Sequence, residues 1–389
     1  MTVLAVLGGQ RRFAENVPFV RPSVPPLESV TSRLAPSYDA GLLTNGPLVR
    51  ELEAAVAQRL GVRHVVAVAN CTAGLMLAIR ALDVQGDALL PSFTFSASAH
   101  AIAWNALRPR FAECDPASMQ LDLDDAKGRL DSASLLVATH VFGAPCRPDA
   151  VEDLAASAGI PVVFDAAHAF GATHDGRAVG TFGDVEVFSL TPTKPLVAGE
   201  GGLVATNRDD VAGSVRIGRD YANPGNYDTR FVGLNARMSE LHAAVALESL
   251  ARFDVDLARR RAIAQRYRDA LSSVPGVRLQ QVPAGDLSTY KDFTIAIDAG
   301  SFGIDRDALV IALRAEGVDT RCYFDPPVHR QYAYRDVEAD LPVTRAVASQ
   351  VVSLPIYPRL SDETVDAIAQ VIADVGTHGA DVARAITAV

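Results

Sequence analysis

Lysine is the scarcest charged residue in this 389-residue chain: Lys127, Lys194 and Lys291 stand against 33 arginines. Cysteine is sparse too. Cys71, Cys114, Cys146 and Cys322 are scattered without C-x-x-C spacing, which excludes a dense disulfide framework and reads as reduced thiols. No stretch approaches 18 uninterrupted apolar residues, so no helix is expected to span a membrane. Positive charge is not in surplus. A net charge of −10 argues against a nucleic-acid or anionic-membrane partner, although a local basic pocket for a phosphorylated ligand stays compatible with it. The apolar run from Thr2 to Gly9 lacks a positive leading region and is too short for a secretion signal, so a cytoplasmic location is expected. The eight histidines show no metal-ligand spacing, and neither a Walker A nor a G-x-S-x-G pattern occurs, so no metal is expected.

What is present is an ordinary globular composition, 49% hydrophobic and 21% charged, in a chain long enough for two or three domains. Residues 1–47 are rich in proline and glycine and suggest an arm or covering segment. Residues 48–250 alternate helix and strand. Strands are expected at 64–69, 88–91, 110–114, 135–140, 162–165, 185–189 and 202–206, with helices at 48–60, 73–82, 97–104 and 149–158. Such alternation implies an α/β fold with a mostly parallel sheet covered on both faces, and ligands then collect beyond the carboxyl ends of the strands. Met238 to Val274 reads as one or two long helices. Residues 251–389 complete the chain as a connecting helix and a small α+β domain, with a strand at 293–297, a helix at 306–316, a strand at 320–324 and a helix at 361–375.

Three features fall at those strand ends: Asp165-Ala166-Ala167-His168, the run Phe188-Ser189-Leu190-Thr191-Pro192-Thr193-Lys194, and Gly199-Glu200-Gly201-Gly202. An acid, a lysine and a glycine-rich turn are what pyridoxal phosphate requires: a carboxylate for its ring nitrogen, an amine for its aldehyde, and small residues where backbone crowds it. Asp165 taken alone is a helix cap or turn former; as a cofactor residue it would keep a pyridine nitrogen protonated. Lys194 leaves a buried strand through a turn bracketed by Pro192 and Pro195, and a desolvated lysine can form a Schiff base or act as a base. His168 could reach the same ligand or satisfy backbone at a helix start. Thr72 opens a helix, as a phosphate ligand, an N-cap or both. Phe95 reads as core or as an aromatic stacked on a flat ring.

Together these runs, with Gly233-Leu234-Asn235-Ala236-Arg237-Met238-Ser239-Glu240 and Leu354-Pro355-Ile356-Tyr357-Pro358, resemble the DegT/DnrJ/EryC1/StrS sugar aminotransferases. These are pyridoxal phosphate enzymes of fold type I, like aspartate aminotransferase. The resemblance runs from about Gly41 to Pro358. It implies a seven-stranded-type sheet and catalysis by Lys194, joined to the cofactor as a Schiff base and shuttling protons, with Asp165 on the pyridinium nitrogen. It further implies Phe95 on the ring face, Thr72 and Ser189 on the phosphate, and Asn235 reaching the partner subunit's phosphate in a homodimer. Three departures stand out. His168 replaces the usual Gln beside the phenolic oxygen, Asn70-Cys71-Thr72 replaces Ser-Gly-Thr in the phosphate loop, and Cys322 replaces a His ahead of the substrate-contacting segment of Tyr323 and His329. A deoxygenating branch carries His in place of the lysine, so Lys194 favours transamination.

The resemblance therefore implies transfer of an amino group, with glutamate as donor and pyridoxamine phosphate as the intermediate cofactor form, to a nucleotide-linked keto sugar. Family members acting at C3 often carry Gly-Thr-Asp in the phosphate loop. Cys71-Thr72-Ala73 looks more like the C4 group, and a dTDP-4-keto-6-deoxyhexose in deoxyaminosugar biosynthesis is expected. The arginine bias suggests a GC-rich genome and a glycosylated antibiotic or other natural product. C3 amination, amination of a cyclitol ketone, and a non-enzymatic regulatory protein of the same fold are the other readings.

Overall fold

The computed structural model describes residues 3–387; the outermost positions of the expected arm and C-terminal domain, Thr2 among them, lie outside the described residues. The main sheet holds seven strands: β1 (His64–Val68), β2 (Asp87–Pro91), β3 (Arg108–Ala112), β4 (Ala133–Thr139), β5 (Val162–Asp165), β8 (Val185–Ser189) and β9 (Gly202–Thr206). Two two-residue strands, β6 (Thr173–His174) and β7 (Arg177–Ala178), form a separate ribbon. The order across the sheet is β1-β9-β8-β5-β4-β2-β3. Neighbours are parallel except where β9 pairs with β1 and β8. The α/β fold expected from the sequence is therefore present, with one antiparallel strand in the sheet.

Helices cover both faces because successive side chains of each strand point to opposite sides. In β1, Val65 and Ala67 join one apolar cluster with Leu52 and Val56 of α2 (Pro47–Leu60). Val66 and Val68 join another with Leu75 and Ile79 of α3 (Cys71–Ala81). α4 (Ser96–Trp104) packs beside α3. Residues 1–47, expected as an arm, contain a helix, α1 (Leu27–Asp39), that lies against the long helix Glu240–Leu271. Glu240, the last residue of the 233–240 run, is fully buried. Its carboxylate accepts the amides of Gly46, Leu48 and Val49 at 2.8–3.0 Å and the hydroxyl of Ser37, so it satisfies the orphan donors that begin α2.

The long helix is continuous over 32 residues and serves two cores. Ala243 to Leu257 belong to the main-sheet cluster, whereas Ile263, Ala264, Tyr267 and Leu271 belong to the cluster around a small antiparallel sheet. That sheet comprises β10 (Val277–Leu279), β11 (Phe293–Ile297) and β12 (Val351–Leu354). Leu4 and Val17 join the small-sheet core as well, so the first stretch of the chain packs on the C-terminal part of the molecule.

One expected strand is absent. At 320–324 only Arg321 pairs, exchanging backbone hydrogen bonds with Ser353 of β12 at 3.2 and 2.7 Å. The segment runs directly into Pro326 and Pro327, which have no N–H to extend a ladder. Among the described residues, no helix is long and apolar enough to cross a membrane.

Candidate active site

Parallel pairing brings the carboxyl ends of β5 and β8 side by side, with Asp165 opposite Val187. Beyond them opens a cavity of about 1150 Å³. Cys71, Thr72, Phe95, Asp165, His168, Ser189, Lys194 and Tyr323 all line it. Thus eight of the ten residues singled out in the sequence meet in one place. Asn235 and His329 do not. Asn235 is exposed outside the cavity lining. His329 is buried behind it, its Nδ1 2.6 Å from the Ser92 hydroxyl and its Nε2 without a partner.

Asp165 is buried. Ser98 donates its hydroxyl to Oδ2 at 2.6 Å, and the Ala167 amide donates to Oδ1 at 3.1 Å. Ser98 is itself within 3.0 Å of Thr94, and Thr94 within 3.0 Å of Thr139, a hydroxyl chain that runs back to the end of β4. Burial pushes the carboxyl's pKa up, and the hydrogen bonds and the nearby Lys194 charge counter this only in part.

Lys194 sits half-buried on a turn whose backbone closes from its N–H to the Thr191 carbonyl at 3.0 Å. Burial first, and repulsion from Lys291 second, lower its ammonium pKa to about 8. The lowered value leaves far more of this amine neutral near neutral pH than in a free lysine, which suits it to act as a nucleophile or base. His168 Nδ1 is buried without a partner, and burial holds the imidazole neutral by pulling its pKa well down.

Asn70, not Thr72, caps α3: its side chain accepts the Ala73 amide at 2.8 Å. The Thr72 hydroxyl is left to face the cavity beside the first amides of the helix, an arrangement suited to an anion. The glycine turn has a different reason from the one expected. A Cβ on Gly202 would stand 2.7 Å from the Asn70 carbonyl carbon and the Cys71 nitrogen, so this glycine lets β9 press against the turn that starts α3. Gly199 adopts φ +88°, which favours glycine directly. Phe95 is 57% exposed and faces the cavity, unlike Phe93, which is core.

Two residues of this site carried no signal in the sequence. Ser98 lies within a small-residue helix, and Lys291 enters from the loop before β11; both are recognisable only by what they touch.

The sheet and its strand-end cavity define the class of pyridoxal phosphate-dependent enzymes that move amino groups. The chain belongs to the DegT/DnrJ/EryC1/StrS aminotransferase family, whose model matches residues 28–373. It is similar to the crystal structure of DesI in the presence of its TDP-sugar product, at 37% identity and a TM-score of 0.92, covering 99% of this chain and 98% of that one. It is 30% identical to dTDP-4-amino-4,6-dideoxy-D-glucose transaminase of Escherichia coli, over 92% of this chain and 98% of that protein. It is 33% identical to UDP-N-acetyl-3-dehydro-alpha-D-glucosamine 3-aminotransferase of Acidithiobacillus ferrooxidans, over 83% and 87%. The protein is a sugar aminotransferase, and its relatives act on nucleotide sugars at either C4 or C3.

Proposed function

We propose that this enzyme transfers an amino group from glutamate to C4 of a dTDP-4-keto-6-deoxyhexose. The observation that carries the reading is one cavity shared by a buried carboxylate, Asp165, and an amine of lowered proton affinity, Lys194. Asp165, the unpartnered nitrogen of His168 and the open first turn of α3 suit a pyridine ring, a phenolic oxygen and a phosphate respectively. These residues, with Phe95 against the ring face and Ser189 and Thr72 at the phosphate, would hold pyridoxal phosphate. Once bound, that cofactor supplies an electron sink for negative charge at the donor's α-carbon.

The protein's own residues do the rest. Asp165 would keep a proton on the ring nitrogen through a charge-assisted hydrogen bond, and Ser98 orients that carboxylate. Lys194 Nζ would take the proton from the donor's Cα as base and give it back as acid, and with the keto sugar would play the two roles in the opposite order, delivering a proton to the sugar carbon.

C4 selectivity is supported by the Cys71-Thr72-Ala73 loop, which lacks an acid after Thr72, and by the similarity to a dTDP-4-amino-4,6-dideoxy-D-glucose transaminase; the likeness to DesI with its TDP-sugar product supports the nucleotide carrier. A homodimer with shared sites is supported by Asn235 standing exposed and by the exposed cavity-lining residues Trp104 and Val232, which a partner subunit would cover.

The test loads the protein with pyridoxal phosphate and follows its visible absorption. Glutamate is expected to bleach the band, and a dTDP-4-keto-6-deoxyhexose to restore it. Restoration by a 3-keto isomer alone moves the amination to C3. No response to glutamate or to any other amino acid overturns the transaminase reading.

A further inference from the structure

Lys291 takes no part in the roles above, yet it is the second of the chain's three lysines to line the cavity. It lies just ahead of β11. Arg260, from the long helix, donates to the carbonyls of Tyr290 and Lys291 at 3.3 Å and of Ile356 at 2.9 Å, which fixes the backbone that carries it. Lys291 Nζ donates to both carboxylate oxygens of Asp292, at 2.8 and 3.0 Å, with both side chains almost wholly buried. The same ammonium stands 5.3 Å from the centre of the Tyr323 ring. In a chain that uses arginine almost everywhere else, lysine at both of these cavity positions selects a compact ammonium over a wide planar fork.

An amino-acid donor must bring its α-carboxylate into this cavity, and a carboxylate removed from water needs a cation beside it. Three cations line the space: Lys194, Arg80 and Lys291. Lys194 is the reacting amine. Arg80 is exposed, paired with Asp83 at 3.1 Å, and sits roughly 13 Å along the axis of α3 from Cys71. Lys291 remains, close enough to Lys194 for its charge to be felt there. The keto sugar of the second half-reaction brings no carboxylate, so an uncompensated charge at this point would then be a cost. Asp292 removes that cost by neutralising the lysine whenever no donor is bound.

We propose that Lys291 holds the carboxylate of the amino donor and that Asp292 is its resting counter-ion, so that one position in the cavity accepts a carboxylate and an uncharged sugar ring in turn. The proposal rests on the transaminase reading above. The first experiment measures binding of glutarate, a dicarboxylate with no amine to react, to the cofactor-loaded protein by calorimetry. Lys291→Met is expected to weaken it roughly tenfold to a hundredfold, the loss of one hydrogen bond to a charged group. Lys291→Met with Asp292→Asn, which leaves no unpaired buried carboxylate, is expected to lose as much. The second experiment compares single-turnover half-reactions. The glutamate half-reaction of either variant is expected to fall at least ten times further than the keto-sugar half-reaction.

Equal losses in the two half-reactions, or glutarate affinity unchanged in a folded variant, overturn the proposal. A wild-type protein that binds glutarate in a Lys291-dependent way but transfers no amino group instead overturns the reading it rests on.

Discussion

The Ser98 hydroxyl meets Asp165 Oδ2 at 2.6 Å, joining the first turn of α4 to the end of β5. The carboxylate is held by a residue from a different part of the chain, and the hydroxyls of Thr94 and Thr139 continue the support behind it. Ser98→Ala removes a hydrogen bond to a charged group. Cofactor affinity is expected to fall roughly tenfold to a hundredfold, measured by absorbance titration with pyridoxal phosphate. An unchanged dissociation constant would show that Asp165 does not depend on this bond.

Lys194→Ala is expected to retain cofactor binding through the phosphate and ring contacts while losing turnover in both half-reactions. Equilibrium dialysis and a glutamate assay separate the two effects. Full activity in this variant would remove Lys194 from the mechanism.

The lowered pKa of Lys194 has a pH signature. In the cofactor-free protein the amine is deprotonated above about pH 8, so the rate of pyridoxal phosphate capture is expected to rise through that point and level off. Stability moves in the same direction. Between about pH 8 and the ordinary lysine value of 10.5 the unfolded chain binds more protons at this position, so the native state gains stability as pH rises. Below that window both states are protonated and the cost of burying the charge is fully present. Lys194→Met is expected to flatten both profiles, by stopped-flow absorbance and by chemical denaturation at a series of pH values.

Gly202→Ala places a methyl group 2.7 Å from the backbone of Asn70 and Cys71. Either β9 or the turn that starts α3 must give way, with an expected cost of about 1–3 kcal/mol in stability and, on the proposed phosphate role of that turn, weaker phosphate binding. Denaturant midpoints and the affinity for inorganic phosphate measure the two losses.

His329→Ala is expected to act on stability and not on substrate. The ring is buried behind the cavity against Ser92, so its removal leaves that hydroxyl with only the residue-329 amide, which donates to it at 3.0 Å, at a cost of about 1–3 kcal/mol. The KM for the keto sugar is expected to stay within threefold of the wild-type value, and a larger rise would return His329 to the substrate contacts.

Asp165 and Lys194 could be read from the sequence because each ends an apolar run, and a parallel sheet collects such ends on one edge. Thr72 was legible as the residue that opens the next helix, and Ser189 only through the family resemblance; both line the cavity. Ser98 and Lys291 were not, since their positions follow from the packing of α4 and of the loop before β11 onto that edge, and packing leaves no periodic trace. The strand expected at 320–324 shows the opposite failure. Its apolar pattern was adequate, but β12 gave it one bridge and two prolines ended the ladder. Phe95 and Phe93 were indistinguishable by type, and only the turn into α4 decides which of them is exposed.

The unbroken helix from Glu240 to Leu271 carries Ala243 in one core and Leu271 in the other. It acts as a strut between the wall that presents Lys194 and the wall that presents Lys291 and Tyr323. Closing these walls on a ligand by a swing of one core against the other would require bending that strut against its own hydrogen-bond ladder. The gap is therefore expected to keep its width when a ligand enters, with sugars chosen by their fit to it and not by closure around them.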